Sequence, residues 1–296
     1  MYTLQNEILK IAVKQSGAEL CAIDAVNNSN TFMWNADPEI WANFAPNLFP
    51  IIGALKDNTM TFEGGKYNMT KHGFIRNNTA IKLEEQADNT LSFSLHYSED
   101  TLKQYPFKFK FTIAFELLEN TIKVTHIVEN LDDTILYFSV GGHPAFKCPI
   151  YKNEDYNDYY LEFEQKETAE SYALNMDSGL VTDTSFPVIS NGNKIPLHYD
   201  LFNEDALIFK DLKSRKVALK SKVNGNILTV DYPEFPYLGV WAKPNADYVC
   251  IEPWLGVADH ENHNQDFKTK EGIQTLDSKQ TFKASYVIEI DKKHLV

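Results

Sequence analysis

The sequence predicts an all-β protein, an antiparallel sandwich or barrel with few short helices. Three observations carry this. Period-two alternation dominates the chain, and no segment longer than about three turns keeps a helical apolar stripe. Apolar runs also recur every ten residues or so between Asn/Asp/Gly turns.

The elements follow in order. Leu91, Phe93, Leu95 and Tyr97 alternate with polar residues, which predicts a strand over 91–97. Residues 99–105 read as a short helical piece. From Phe107 to Leu117 every odd position is apolar, and the even ones are Lys, Lys, Thr, Ala and Glu, the pattern of a half-buried strand with one wet face. Glu119 and Asn120 then supply turn chemistry before Ile122, Val124, His126 and Val128 resume the alternation. Later strands are predicted over 135–140, 159–163, 217–219, 227–232, 238–242, 248–252 and 284–290. The Asn/Asp-rich stretch 153–158 reads as the longest polar loop. No linker, repeat or low-complexity tract interrupts the chain, so one domain over 1–296 is expected.

Composition narrows the function classes. Hydrophobic residues make up 43% of the 296 and aromatics 13%, enough for a large core. The 19 Phe and 15 Tyr suit both strands and sugar-stacking surfaces. A net charge of −13 repels nucleic acid and anionic membranes, so neither is expected as a partner. Cys21, Cys148 and Cys250 are odd in number and form no CxxC, which fits a reducing compartment. With no signal-like start and no run long enough to span a bilayer, the expected location is the cytoplasm.

Three short segments carry the chemistry: Lys71-His72-Gly73-Phe74-Ile75-Arg76, Gly141-Gly142-His143-Pro144-Ala145-Phe146 and Ile251-Glu252-Pro253-Trp254. Each sets an ionisable side chain beside Gly, Pro or an aromatic at the edge of an apolar run. Two imidazoles, a guanidinium and a carboxylate suffice for general acid–base work on a neutral polar ligand. Glu252 ends the apolar run 248–251, so partial desolvation favours its neutral form and makes it a stronger base than a free Glu. Its ordinary alternative is an N-cap or an ion pair, and that of Arg76 is a surface ion pair. That arginine is one of only two in the chain, the other being Arg215. For a His in arbitrary context the ordinary role is a core imidazole satisfied by a carbonyl, and for Trp254 it is a core aromatic. Gly73 argues against a helix face that would present His72 and Arg76 together.

These motifs resemble those of the aldose 1-epimerase (galactose mutarotase) superfamily, and most closely its LacX-like branch, over nearly the whole chain. The resemblance implies a many-stranded antiparallel supersandwich with a ligand cleft along one sheet. It implies that His143 is the acid protonating the sugar ring oxygen and Glu252 the base taking the anomeric hydroxyl proton. It further implies that His72 and Arg76 bind sugar oxygens and that Asp205, next to Glu204, hydrogen-bonds sugar hydroxyls. Trp254 is a candidate pocket wall, and Asn47, in the stretch 43–50, a candidate contact.

The expected activity is interconversion of the α and β anomers of a free aldohexose, with galactose metabolism hinted. No cofactor or metal is expected, since both half-steps are proton transfers. His260 and His263, three apart in a polar loop, lack the further ligands zinc requires. The alternatives are a sugar-binding protein without turnover, a hexose-6-phosphate 1-epimerase and, further off, a glycosidase needing a second carboxylate. Two Arg and an acidic chain disfavour the phosphate ester. The sole expected partner is the sugar, and the oligomeric state is open between monomer and homodimer.

Overall fold

The computed structural model describes residues 1–296. Its largest sheet has nine antiparallel strands, whose spatial order is Val181–Pro196, Tyr159–Leu174, Lys216–Ser221, Gly225–Asp231, Thr281–Ile290, Thr121–Asn130, Phe109–Leu118, Thr90–His96 and Lys82–Gln86. A second sheet runs Leu207–Phe209, Tyr237–Trp241, Tyr248–Leu255, Val140–Gly142 and Asn47–Leu48, with Ala145–Lys147 pairing onto the start of Tyr248–Leu255. Smaller sheets form from Tyr2–Gln5, Leu9–Lys14 and Glu19–Ala25, from Leu136–Phe138 with Gln274–Leu276, and from Thr59–Phe62 with Gly65–Asn68.

Alternation predicts burial well in the central hairpin. Phe109, Phe111, Ile113, Phe115 and Leu117 all point into the core, against Ile122, Val124 and Val128 of the next strand. Phe49, leading out of the second sheet, stacks on Phe111 of the first with ring centroids 4.3 Å apart and planes 6° from parallel. Such contacts fuse the layers, and one connected core of 74 buried residues results. The only α-helix is the single turn Glu99–Leu102, capped by Ser98. No helix is long and apolar enough to cross a membrane.

Two expectations need correction. Strand prediction stopped at residue 163, yet Tyr159–Leu174 runs sixteen residues and pairs with an equally long Val181–Pro196. Beyond residue 163 the buried positions of Tyr159–Leu174 are polar, Glu167 and Ser171, so it has no apolar alternation to read. The stretch 153–158 is also more ordered than a polar loop. Asp155 caps a 3₁₀ turn over Tyr156–Asp158, and Tyr156 is buried.

Candidate active site

The second sheet supplies the floor of a cavity of about 240 Å³. Its central strand, Tyr248–Leu255, is buried along its whole length, and side-chain alternation puts Cys250, Glu252 and Trp254 on one face. Glu252 and Trp254 line the cavity, and Trp241 joins them from the adjacent strand Tyr237–Trp241. On the other flank Gly141 pairs with Trp254. A Cβ on Gly141 would lie 2.7 Å from the Pro253 carbonyl, so only glycine lets the strands close up there. That close approach delivers His143, two residues on, to Glu252.

The His143 Nε2 lies 3.2 Å from Glu252 Oε2. Both residues are almost wholly buried. Burial holds the His143 imidazole down at about 3, with Lys71 and Arg76 adding to the effect. Burial likewise pushes the Glu252 carboxyl well above its ordinary value, Asp205 reinforcing the shift and Lys71 opposing it. Neither Glu252 Oε2 nor the Trp254 indole N–H has a protein hydrogen-bond partner. The Trp41 ring stacks on His143 at 5.1 Å between centroids and fixes the plane of the imidazole.

The third wall is the turn 71–76. Gly73 sits at φ +76°, a conformation natural to glycine, and a Cβ there would lie 2.1 Å from the Phe49 carbonyl oxygen. His72 itself adopts φ +68°, a costly value for a non-glycine residue that the surrounding contacts must enforce. Its Nδ1 accepts a 3.1 Å hydrogen bond from the Gly53 amide. Because a backbone N–H can only donate, Nδ1 carries no proton and Nε2 does. Burial lowers the His72 pKa well below its usual value, with His143, Lys71 and Arg76 contributing. His72 is therefore a neutral donor, its ring centroid 5.7 Å from that of His143.

Of the seven residues singled out in the sequence, six line this one cavity: Glu252, His143, His72, Arg76, Asp205 and Trp254. Asp205 is half-buried in the wall, while its neighbour Glu204 is exposed and does not line the cavity. Asn47 does not reach the cavity. Its amide nitrogen donates to the Gly17 and Ala18 carbonyls, and its oxygen meets His126 Nε2 at 2.9 Å, bridging the two large sheets from the inside. Trp41, Trp241, Lys71 and the hairpin-tip residues Leu174 and Gly179 also line it and were not assigned to it from sequence. One signal was available: the chain has only four Trp, and three of them are here.

His260 and His263 diverge, one facing Asp183 at 3.2 Å and the other Asp259 at 3.5 Å. The cluster with metal-ligand spacing is instead His143, Cys250 and Glu252, whose donor atoms lie within 4.8 Å of one another. Such a nitrogen, sulfur and oxygen set suits a thiophilic divalent ion more than magnesium or calcium.

A carboxyl and an imidazole in contact on the floor, with neutral and cationic donors on the walls, offer an acid, a base and hydrogen-bond donors in one cavity. The sequence model of the family described as aldose 1-epimerase matches residues 1–271. The chain belongs to the aldose 1-epimerase family. The plasmid-encoded protein LacX of Lactococcus lactis subsp. lactis is 32% identical to it, over 97% of this chain and 98% of the relative. Among solved structures, a galactose mutarotase related enzyme from Lactobacillus acidophilus superposes with a TM-score of 0.92 at 33% identity, covering 98% of this chain and 97% of that one. A galactose mutarotase-like protein from Lactobacillus casei gives 0.91 at 26% identity, with 98% and 100% covered. The fold of this family member is thus the galactose mutarotase-like one, and its activity class is that of a sugar epimerase.

Proposed function

We propose that this aldose epimerase family member interconverts the α and β anomers of a free aldohexose by ring opening and closure. The observation that carries the reading is the 3.2 Å contact between His143 and Glu252 at the base of the cavity. The anomeric hydroxyl and the ring oxygen are both bonded to C1, so two proton-transfer groups a few ångströms apart serve both. Glu252 takes the proton of the anomeric hydroxyl while His143 delivers one to the ring oxygen, and the C1–O5 bond breaks. The aldehyde rotates about C1–C2, and the roles reverse on closure. His72, protonated at Nε2, donates to a sugar oxygen, and Arg76 and Asp205 orient the remaining hydroxyls.

The cavity falls below the roughly 300–1,000 Å³ typical of drug-sized ligands, which favours one monosaccharide over an oligosaccharide. A glycosidase is disfavoured because the group facing Glu252 is an imidazole, not a second carboxylate. A cytoplasmic setting belongs to this reading, supported by three buried, unpaired cysteines.

One observation favours a second reading, a hexose 6-phosphate. Lys71 and Arg76 both line the cavity, and neither has a carboxylate partner. Lys71 is exposed, however, and an exposed cation contributes little attraction through water. Anomer exchange measured by NMR across a panel of free aldoses, with purified protein, tests the proposal. Exchange no faster than the uncatalysed rate for every sugar that binds would refute it in favour of a sugar-binding role.

A further inference from the structure

Behind the cavity wall lies an ion pair that the acid–base chemistry does not use. Lys270 Nζ is 2.8 Å from Asp259 Oδ1, and the two side chains are 0% and 1% exposed. The same ammonium donates to the Val257 carbonyl at 2.7 Å. Asp259 Oδ2 accepts from the Lys56 amide at 3.0 Å, with His263 Nδ1 3.5 Å away. The backbone of Asp259 is engaged as well. Its N–H donates to the Ala54 carbonyl at 2.9 Å, and its carbonyl accepts from the Val181 amide at 2.9 Å.

Three pieces of cavity wall meet at this one residue. Residues 54–56 continue from Gly53, the 257–259 segment carries Ala258, and Val181 follows the hairpin tip that contributes Leu174 and Gly179. The link from Gly53 to chemistry is direct. Its amide donates to His72 Nδ1, and its carbonyl accepts from the His72 amide at 2.8 Å.

Stability alone gives a poor account of the pair. Desolvating two charges cancels most of their attraction, and well-packed apolar replacements are often neutral or stabilising. Position gives a better account. We propose that Asp259 and Lys270 are positioning residues: they hold the 53–56 segment so that the Gly53 amide keeps His72 in its Nε2–H tautomer and orientation, and they hold the hairpin tip at the cavity mouth. If that segment loosens, Nδ1 becomes free to take the proton. His72 then turns a lone pair, not a donor, toward the sugar. Only the kinetic half of this inference rests on the proposed mutarotase reading.

The test replaces both charges, Asp259→Leu with Lys270→Met, so that neither partner is left buried alone. The His72 tautomer is read from ¹⁵N–¹H long-range correlation NMR near neutral pH, without sugar. The wild type is expected to give the pure Nε2–H pattern and the variant a mixture of tautomers. In anomer exchange the variant is expected to lose roughly 10- to 100-fold in kcat/KM, mostly in kcat, as misplacement by about 1 Å does, with little change in thermal midpoint. An unmixed Nε2–H pattern together with wild-type kcat/KM would overturn the proposal. Should the double variant fail to fold, Asp259→Asn takes its place, and there too a mixed pattern supports the proposal and an unchanged one overturns it. A mixed pattern in a protein whose wild type exchanges no anomers would count against the mutarotase reading and leave the positioning role standing.

Discussion

His143 Nε2 and Glu252 Oε2 face each other across 3.2 Å in a setting that disfavours charge on either. The neutral pair and the ion pair differ by the place of one proton, on Glu252 or on His143. The pair is described by its total proton count. Two protons are bound when His143 is also charged, one over the middle range, and none once the Glu252 carboxyl ionises.

The pH profile should follow that count. The one-proton form is the active one, since it offers an acid and a base together. His143 takes up its second-state proton as pH falls toward about 3, which sets the acid limb. The alkaline limb falls where the raised Glu252 carboxyl loses its proton, above the ordinary carboxylate range. Measuring kcat/KM against pH checks this, and a profile flat from acid to alkaline would contradict the shared proton.

Removing the base alone is the next test. Glu252→Gln keeps the shape of the side chain and should slow anomer exchange by roughly 10² to 10⁴. Sugar binding, followed by calorimetry, should largely survive. Near-wild-type turnover would take Glu252 out of the mechanism.

His143→Asn should lose turnover to a similar degree. Because the two groups act as one unit, the double variant should be little worse than either single one. Losses that simply add in free energy would mean the groups work independently.

The anionic-substrate question is settled by competition. With galactose and its 6-phosphate in one tube, the free sugar is expected to exchange with the higher kcat/KM. Preference for the ester, abolished by Lys71→Gln and retained in Lys71→Arg, would transfer the assignment to phosphorylated hexoses.

Exhaustive chelation should leave activity unchanged, because the proposed steps move protons only. His260→Ala with His263→Ala should do mild damage at most, since His260 Nε2 faces Asp183 while His263 Nδ1 accepts from the Gln265 amide, and neither ring lines the cavity. Loss of activity on chelation, restored by zinc or manganese, would give the His143, Cys250 and Glu252 cluster a working role.

The sequence exposed what was local. His72, Arg76, His143 and Glu252 were legible because glycine, proline and aromatic neighbours marked each as special, and the alternation from Phe107 to Leu117 announced its strand directly. What depended on distant partners was hidden. Asn47 sits in a suggestive stretch, but its oxygen pairs with His126, 79 residues on, and that pairing turns it inward. Leu174 and Gly179 reach the cavity only because a long hairpin brings its tip there, and a strand whose buried positions are Glu167 and Ser171 leaves no periodic apolar signal. The burial of Lys270 against Asp259 was equally hidden, since two oppositely charged residues eleven apart in a polar loop ordinarily remain in water.

The contact of Gly17 with the Arg76 turn has a consequence for where this chain tolerates loss. Gly17 donates to the Asn78 carbonyl at 3.0 Å, its own carbonyl is held by Asn47, and a Cβ on it would come within 2.1 Å of the Arg76 carbonyl oxygen. The opening hairpin, some sixty residues upstream of the motif, is therefore the seat on which the guanidinium-bearing turn rests. Trimming the first eighteen residues would leave every proposed proton-transferring group in the polypeptide and yet unseat the arginine. A smaller change runs into the same constraint: the N-terminal turn and the loop 75–78 share one surface, so a side chain added at Gly17 would force that loop to move.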